Sequence, residues 1–379
     1  MAVLWLLLAT LSFAALGKAA ADGLPPCDFP ALYNFGDSNS DTGGISAAFS
    51  PISTPYGTRF FGKPAGRDAD GRLIVDFIAE QVKVPYLSAY LNSLGTNYRH
   101  GANFATGGST IRRQNETIFE YGISPFSLDM QIVQFDQFKD RTADMFAQGK
   151  DSGERGRLPV PGEFAKALYT FDIGQNDLSV GFRKLSSDQL KAALPDIVSQ
   201  LASAVQNIYD RGGRSFWIHN TGPIGCLPTN FFYNHNPPPG YLDDHGCVKT
   251  QNEMAIELNR QIKEMVIKLR GQLKDAAITY VDVFTAKFGL IGNAKAEGFA
   301  DPFKVCCGYH ENYDHIWCGG KGMVNGTEVY GGSCESPATY ISWDGVHYTE
   351  GANHWVANRI LNGSLSDPPI PITLACHRV

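Results

Sequence analysis

Four short apolar runs, at residues 31–35, 168–173, 215–219 and 277–283, each end in a polar or glycine-rich turn, and long amphipathic segments lie between the later ones. This alternation constrains the fold more than any other feature of the chain. Between residues 188 and 210, Leu190, Leu194, Ile197, Val198, Leu201, Val205 and Ile208 recur on one helical face, and Gly212-Gly213 supplies the stop. A second helix is predicted over about residues 251–273, with Met254, Leu258, Ile262, Met265 and Leu269 on its inner side. These stripes read as core packing. Strand, long helix, strand, long helix, strand is the pattern of a parallel sheet covered on both faces, because a parallel connection needs a crossover long enough to hold a helix. The predicted class is α/β. In such sheets, reactive groups gather beyond the carboxyl ends of the strands, which directs attention to the segments that follow each run.

Nothing in the chain breaks this pattern into separate units. There is no internal repeat, and Pro237-Pro238-Pro239 and Pro368-Pro369 read as loops rather than linkers. A chain of 379 residues, 43% hydrophobic, can build one large core. The net charge of −6 and the absence of a basic run leave no footprint for a nucleic-acid backbone.

Residues 3–16 are almost wholly apolar and are followed by Ala19-Ala20-Ala21-Asp22, a run suited to signal-peptidase cleavage. The apolar stretch is shorter than the ~20 residues that span a bilayer. The expectation is a signal peptide at residues 1–21, one domain at 22–379 and a secreted, extracellular or cell-wall location. Cys27, Cys226, Cys247, Cys306, Cys307, Cys318, Cys334 and Cys376 make an even set of eight, which predicts disulfides, although their pairing is open. The competing reading is a zinc site at Cys306, Cys307, His310, His315 and Cys318, disfavoured because paired knuckles are missing. Asn115, Asn325 and Asn362 each open an Asn-x-Ser/Thr triplet, predicting a glycoprotein.

The first run leads into Phe35-Gly36-Asp37-Ser38-Asn39-Ser40-Asp41, with Ser38 in the turn before a predicted helix. Two readings stand here. One is a capping and turn segment whose side chains bond their own backbone. In the other Ser38 is a nucleophile, with the amides of the following helix aimed at an oxyanion above it. Near the far end, Asp344 precedes His347 by three residues, the spacing that lets a carboxylate on a helical turn fix the tautomer of an imidazole. A serine hydroxyl needs such a base. The glycine-rich segment 101–108 allows close backbone approach, and Asn176 in Gly174-Gln175-Asn176-Asp177 offers an amide donor after another strand. Taken singly, each segment is also an ordinary turn.

Together, in this order, the four segments resemble the sequence blocks of the GDSL, or SGNH, hydrolase family, and in particular its secreted plant esterase/lipase branch. The resemblance covers almost the whole chain after the signal. It implies a flavodoxin-like three-layer α/β/α sandwich and Ser38 as nucleophile, with Asp344 and His347 as the final Asp-x-x-His. The oxyanion donors it implies are Ser38, Asn176 and Gly108, with Gly107 the alternative glycine. One departure is visible: Asn39 stands where the family's name has Leu. The stretch from Pro55-Tyr56-Gly57 through Arg67, with Asp70-Gly71-Arg72, is also similar to one in the plant branch. Residues 57–63 fit a phosphate-loop spacing, but Pro64 replaces the magnesium-binding Ser or Thr and no strand leads in, so no nucleotide site is read.

The implied activity is hydrolysis of an acyl ester, possible acyl groups including acetyl, on a carbohydrate, lipid or metabolite, with no cofactor and no metal. The same residues would serve an acyltransferase with a sugar or alcohol acceptor. A fucose-releasing glycosidase would instead need two carboxylates across a sugar ring. A non-catalytic wall protein has no use for all four segments.

Overall fold

The computed structural model describes residues 23–114, 122–149, 152–232, 234 and 236–378. In chain order its principal elements are β1 (Leu32–Gly36), α1 (Ile74–Gln81), β2 (Gly101–Asn103), α2 (Leu128–Ala147), β3 (Leu168–Asp172), α3 (Gln175–Lys184), α4 (Ser187–Asp210) and β4 (Ser215–His219). There follow α5 (Lys249–Gln272), β5 (Ala277–Val281), α6 (Val283–Gly292), the hairpin strands β6 (Tyr309–Glu311), β7 (Asp314–Ile316), β8 (Lys321–Val324) and β9 (Thr327–Tyr330), then α7 (Glu350–Leu361) and β10 (Ser366–Asp367). The central sheet runs β10-β5-β4-β3-β1-β2. Strands β1 to β5 are parallel in the order 2-1-3-4-5, the flavodoxin-like arrangement.

The four predicted strands and two predicted helices form within a residue or two of their expected limits. The sheet is not wholly parallel, however, because β10 pairs antiparallel with β5 through Ser366 and Val281. The chain leaves α7 by a short turn, too short for a crossover, and can return to the sheet edge only in the reverse sense.

Side chains on the two faces of the sheet build two cores. Tyr33, Phe35, Tyr169, Phe171, Phe216 and Ile218 face α2, α4 and α5. Leu32, Leu168, Trp217 and Val281 face α1, α6 and α7. Strands covered on both faces need no polar alternation, which is why they read as continuous apolar runs. The first core is largely aromatic: Tyr33 stacks on Phe164 at 5.3 Å, and Phe35 stacks on Phe104 at 5.3 Å and on Phe171 at 5.1 Å. Removing one such ring, as in Phe135→Ala, costs about 3–5 kcal/mol. Helix starts are marked by side chains that accept otherwise orphaned amides, Ser186 before α4, Asp282 before α6 and Thr349 before α7.

A buried polar ladder crosses the carboxyl half of the sheet. Thr170 Oγ1 donates to Asn34 Oδ1 at 2.7 Å, and Asn34 Nδ2 donates to Asn103 Oδ1 at 2.8 Å and to Ser40 Oγ at 3.0 Å. Asn103 Nδ2 donates to the Ser40 carbonyl at 2.6 Å. The ladder ties β3, β1 and β2 to the turn that follows β1, so the sheet itself places that turn.

Between α6 and α7 the chain leaves the sandwich for the two hairpins β6–β7 and β8–β9, stapled by Cys306–Cys334 and Cys307–Cys318. Cys226–Cys247 closes a separate loop, and Cys27–Cys376 joins the two ends of the described chain. The predicted oxidation of all eight cysteines holds. Cys306, Cys307 and Cys318 have no thiolate to offer a metal, while His310 and His315 stack on Phe232 at 4.0 and 5.0 Å. No described helix is long and apolar enough to cross a membrane. The predicted signal at residues 1–21 and the Asn115 triplet lie outside the described residues.

Candidate active site

The site lies beyond the adjacent carboxyl ends of β1 and β3. Gly36, the last residue of β1, is held on both sides by Gln131 from α2: its N–H donates to Oε1 at 2.9 Å and its carbonyl accepts from Nε2 at 2.8 Å. A Cβ at Gly36 would meet Ser40 Oγ at 2.3 Å and the Asp172 carbonyl at 2.6 Å, so only glycine fits. The chain then turns sharply, with Asp37 N donating to the Asp172 carbonyl and Ser40 N to the Asp37 carbonyl. Ser38 sits at the apex.

The two readings of this turn prove compatible. Asp41 is the cap: its carboxylate accepts from the amides of Gly43, Gly44 and Ile45 at the start of the short helix Gly44–Ala48, and from Gly107. The helix amides are therefore spent on Asp41 and do not point into the space above Ser38, contrary to the sequence expectation. The physical reason is burial: a carboxylate removed from water needs its lone pairs filled.

Asn39 replaces the apolar Leu with polar contacts. Its amide N and Nδ2 both donate to Asp37 Oδ1 at 2.9 Å, and its Oδ1 lies 3.4 Å from Lys287 Nζ. Lys287, buried beneath the turn, also sits over the Tyr348 ring at 4.8 Å. Burial pulls the Lys287 ammonium down while Asp172 and Asp37 hold it up. Burial, reinforced by Asp172, pushes Asp37 up to about 7 against the Asn39 bonds and the Lys287 charge.

Asp344 and His347 do not lie on a helical turn. They occupy an irregular loop before α7, folded around the Asp344 carboxylate: Oδ1 accepts from the amides of Val346 at 2.9 Å and His347 at 2.8 Å. Trp343 N closes the loop by donating to the His347 carbonyl at 2.8 Å. Gly345, at φ 97° and with Phe232 at 2.7 Å from any added Cβ, permits this path. Oδ2 lies 2.7 Å from His347 Nδ1 and accepts the Tyr56 hydroxyl at 3.1 Å. On the other edge of the ring, His347 Nε2 is 2.8 Å from Ser38 Oγ, across 309 residues of sequence. Burial disfavours the His347 imidazolium, but the charges of Asp344, Asp68 and Asp37 outweigh it and push the group up to about 9. Burial likewise works to raise Asp344, and the His347 charge and hydrogen bonds hold it below the usual carboxylate range.

Ser38, His347, Gly107, Gly108 and Asn176 line one cavity of about 400 Å³, together with the apolar Ile45, Phe49, Ile52, Ile123 and Val346. The Gly107 amide is committed to Asp41 at 2.8 Å. Those of Ser38 and Gly108 donate to no described residue. Asn176, in the first turn of α3, donates one Nδ2–H to the Ser109 carbonyl at 3.0 Å and keeps the other. Asp177 clamps the neighbouring loop by accepting from Ile111 N at 2.7 Å and Arg112 N at 3.0 Å. A hydroxyl, an imidazole backed by a carboxylate, and three N–H groups around one cavity can perform acyl transfer without an added group.

Sequence reasoning missed Gln131, Asp68, Lys287 and the bond from Tyr56 to Asp344. Only Tyr56 had any signal, in the stretch shared with the plant branch. Asn325, in the tight turn between β8 and β9, and Asn362, at the end of α7, are both exposed.

Residues 32–360 match the GDSL-like Lipase/Acylhydrolase family. A GDSL esterase/lipase of Arabidopsis thaliana is 72% identical over 354 residues, covering 93% of this chain and 91% of the relative. The GDSL esterase/lipase ACHE of Zea mays is 51% identical, covering 93% and 90% respectively. A protein of Arabidopsis thaliana named alpha-L-fucosidase 3 is 49% identical, covering 89% and 91%. With the parallel sandwich described above, these matches show that the chain belongs to the GDSL-like lipase/acylhydrolase family and is an ester-bond hydrolase.

Proposed function

We propose that this protein is a secreted serine esterase, one domain after removal of residues 1–21, that cleaves acyl esters through an acyl-enzyme on Ser38. The observation that carries the reading is the continuous contact from Asp344 through His347 to Ser38, at 2.7 and 2.8 Å. With Asp344 ionised, Nδ1 of His347 keeps its proton and Nε2 accepts the one from Ser38 Oγ as the oxygen attacks the ester carbonyl. The carbonyl oxygen takes up negative charge between the amides of Ser38 and Gly108 and the free Nδ2–H of Asn176. As the tetrahedral intermediate collapses, the bond to the alcohol oxygen breaks and His347 gives that oxygen its proton. Water, deprotonated by His347, then attacks the acyl-enzyme, releasing the acid and restoring Ser38.

Four disulfides and exposed sequons at Asn325 and Asn362 fit an oxidising, glycosylating route. The test is a series of aryl esters of rising acyl length beside an acetylated polysaccharide, with Ser38→Ala as control. Hydrolysis lost in the variant supports the reading; a wild type inert on every ester overturns it. A fucoside belongs in the same assay because of the relative named alpha-L-fucosidase 3. Fucose release that survives Ser38→Ala would remove the serine from the mechanism.

A further inference from the structure

Asp68 is half-buried and lines the same cavity as Ser38 and His347, where it is the one carboxylate among the described lining residues. It comes from the segment 65–73, which is anchored on both sides of Asp68. Arg67 is locked by a bidentate pair to Asp76 on α1, Nε to Oδ2 at 2.7 Å and Nη2 to Oδ1 at 2.6 Å. Asp70 accepts from Glu350 N, at the start of α7, at 2.6 Å. Gly66 packs so tightly against Gly43 that an added Cβ would stand 2.5 Å from the Gly43 Cα. The backbone at Asp68 is therefore rigid, yet its own carboxylate makes no hydrogen bond to any described residue. By contrast, the carboxylates of Asp37, Asp41, Asp344 and Asp177 each accept from protein N–H groups. A fixed carboxyl with open lone pairs, facing a substrate cavity, is a binding group without its ligand.

We infer that Asp68 is a specificity-determining residue that hydrogen-bonds a hydroxyl of the alcohol half of the ester, so that the preferred substrates are acyl esters of polyhydroxylated alcohols. The inference rests on the roles given above to Ser38 and His347. His347 must deliver its proton to the leaving oxygen, so the alcohol half passes His347, and Asp68 lines the same cavity as that ring. The acyl half is left to the apolar side chains Ile45, Phe49, Ile123 and Val346. A neutral hydroxyl suits the position better than a cationic head group. Burial pushes the Asp68 carboxyl up to about 7, with His347 pulling it down and Asp344 and Asp41 adding to the rise. The group is therefore divided between its two forms near neutrality, and a hydroxyl can bond either one. A cation would gain only from the ionised form.

The experiment compares three acetyl esters on the full-length protein at one alkaline pH, where titration of His347 contributes least: 4-nitrophenyl acetate, an O-acetylated methyl glucoside and acetylcholine. Asp68→Leu removes the hydrogen-bonding group; Asp68→Asn keeps its shape and its ability to bond a hydroxyl. The expected result is a roughly 10- to 100-fold loss of kcat/KM on the acetyl glucoside for Asp68→Leu, the range for losing a hydrogen bond to a carboxyl. Asp68→Asn recovers most of that loss, and for Asp68→Leu the loss on the acetyl glucoside exceeds the loss on the aryl ester by about 10-fold or more. Equal losses on all three esters would overturn the inference, because Asp68 would then act only through His347. So would a wild type that ignores the acetyl glucoside, or one whose largest Asp68→Leu loss falls on acetylcholine. Failure of the underlying reading looks different: the wild type then leaves even the aryl ester intact, or Ser38→Ala still cleaves it.

Discussion

The two halves of the candidate triad are held in opposite ways. Ser38 stands on the sandwich: β1 ends in a glycine clasped by Gln131, and the Asn34–Asn103–Thr170 ladder fixes the turn from below. Asp344 and His347 stand on an irregular loop next to the stapled hairpins, whose small core is Cys306, Cys307, Cys318 and Trp343. One half draws its rigidity from a sheet buried on both faces. The other draws it from cross-links and from a carboxylate that gathers its own loop. The contrast shows that a close Ser–His–Asp contact does not require both partners to sit on regular structure, provided the irregular one is over-determined by local bonds.

Removing the base breaks the contrast most sharply. His347→Ala should lower kcat on an aryl ester by about 10⁴-fold or more while leaving thermal unfolding nearly unchanged, because the ring holds up no part of the core. Activity assays beside a melting curve check both halves of that statement. Next in size is a comparison of staples. Replacing both Cys307 and Cys318 with Ser should cut kcat by roughly 10- to 100-fold through loosening of the His347 loop. Replacing Cys27 and Cys376 should lower stability by about 2–5 kcal/mol and leave kcat at low temperature within about 2-fold. Equal effects on kcat would mean the hairpins are not what positions the base.

What the sequence made legible follows the same division. The strands under Ser38 and the helices α4 and α5 were readable because two-sided burial and helical periodicity leave a record in residue type. The Ser38, Gly108, Asn176 and Asp344–His347 segments were readable because each follows a strand or carries an acid-base spacing. The Asp344 loop was expected as a helical turn, since spacing alone cannot tell a helix from a loop wound around one carboxylate. The clasp by Gln131 and the open carboxyl of Asp68 left no pattern at all: each depends on which distant segments meet. Gly107 and Gly108 were inseparable in sequence, and only the bond from the Gly107 amide to Asp41 leaves Gly108 as the available donor.

A smaller effect sharpens the picture of the Asp344 loop. Tyr56→Phe removes one of the four donors to Asp344 and should lower kcat about 3- to 10-fold, the weight of a single hydrogen bond to a charged group, with KM little changed. Smallest is a displacement of the pH profile. His347 accepts a proton only when neutral, and with the charges of Asp344, Asp68 and Asp37 outweighing burial, Tyr56 on Asp344 and Lys287 over the Tyr348 ring, its imidazolium is held up to about 9. Activity should therefore rise with pH through an ascending limb near that value. Asp68→Asn takes away one of the negative charges that favour the imidazolium, so the limb should move to lower pH; a shift upward would contradict the assigned electrostatics.

The most direct test of the central claim is to quench the enzyme in acid during turnover of an activated aryl ester and locate the acyl group by peptide mass. The expected result is an acyl adduct on the peptide holding Ser38, absent from Ser38→Ala and strongly reduced in His347→Ala. An adduct on any other residue, or hydrolysis that continues undiminished in Ser38→Ala, would contradict it.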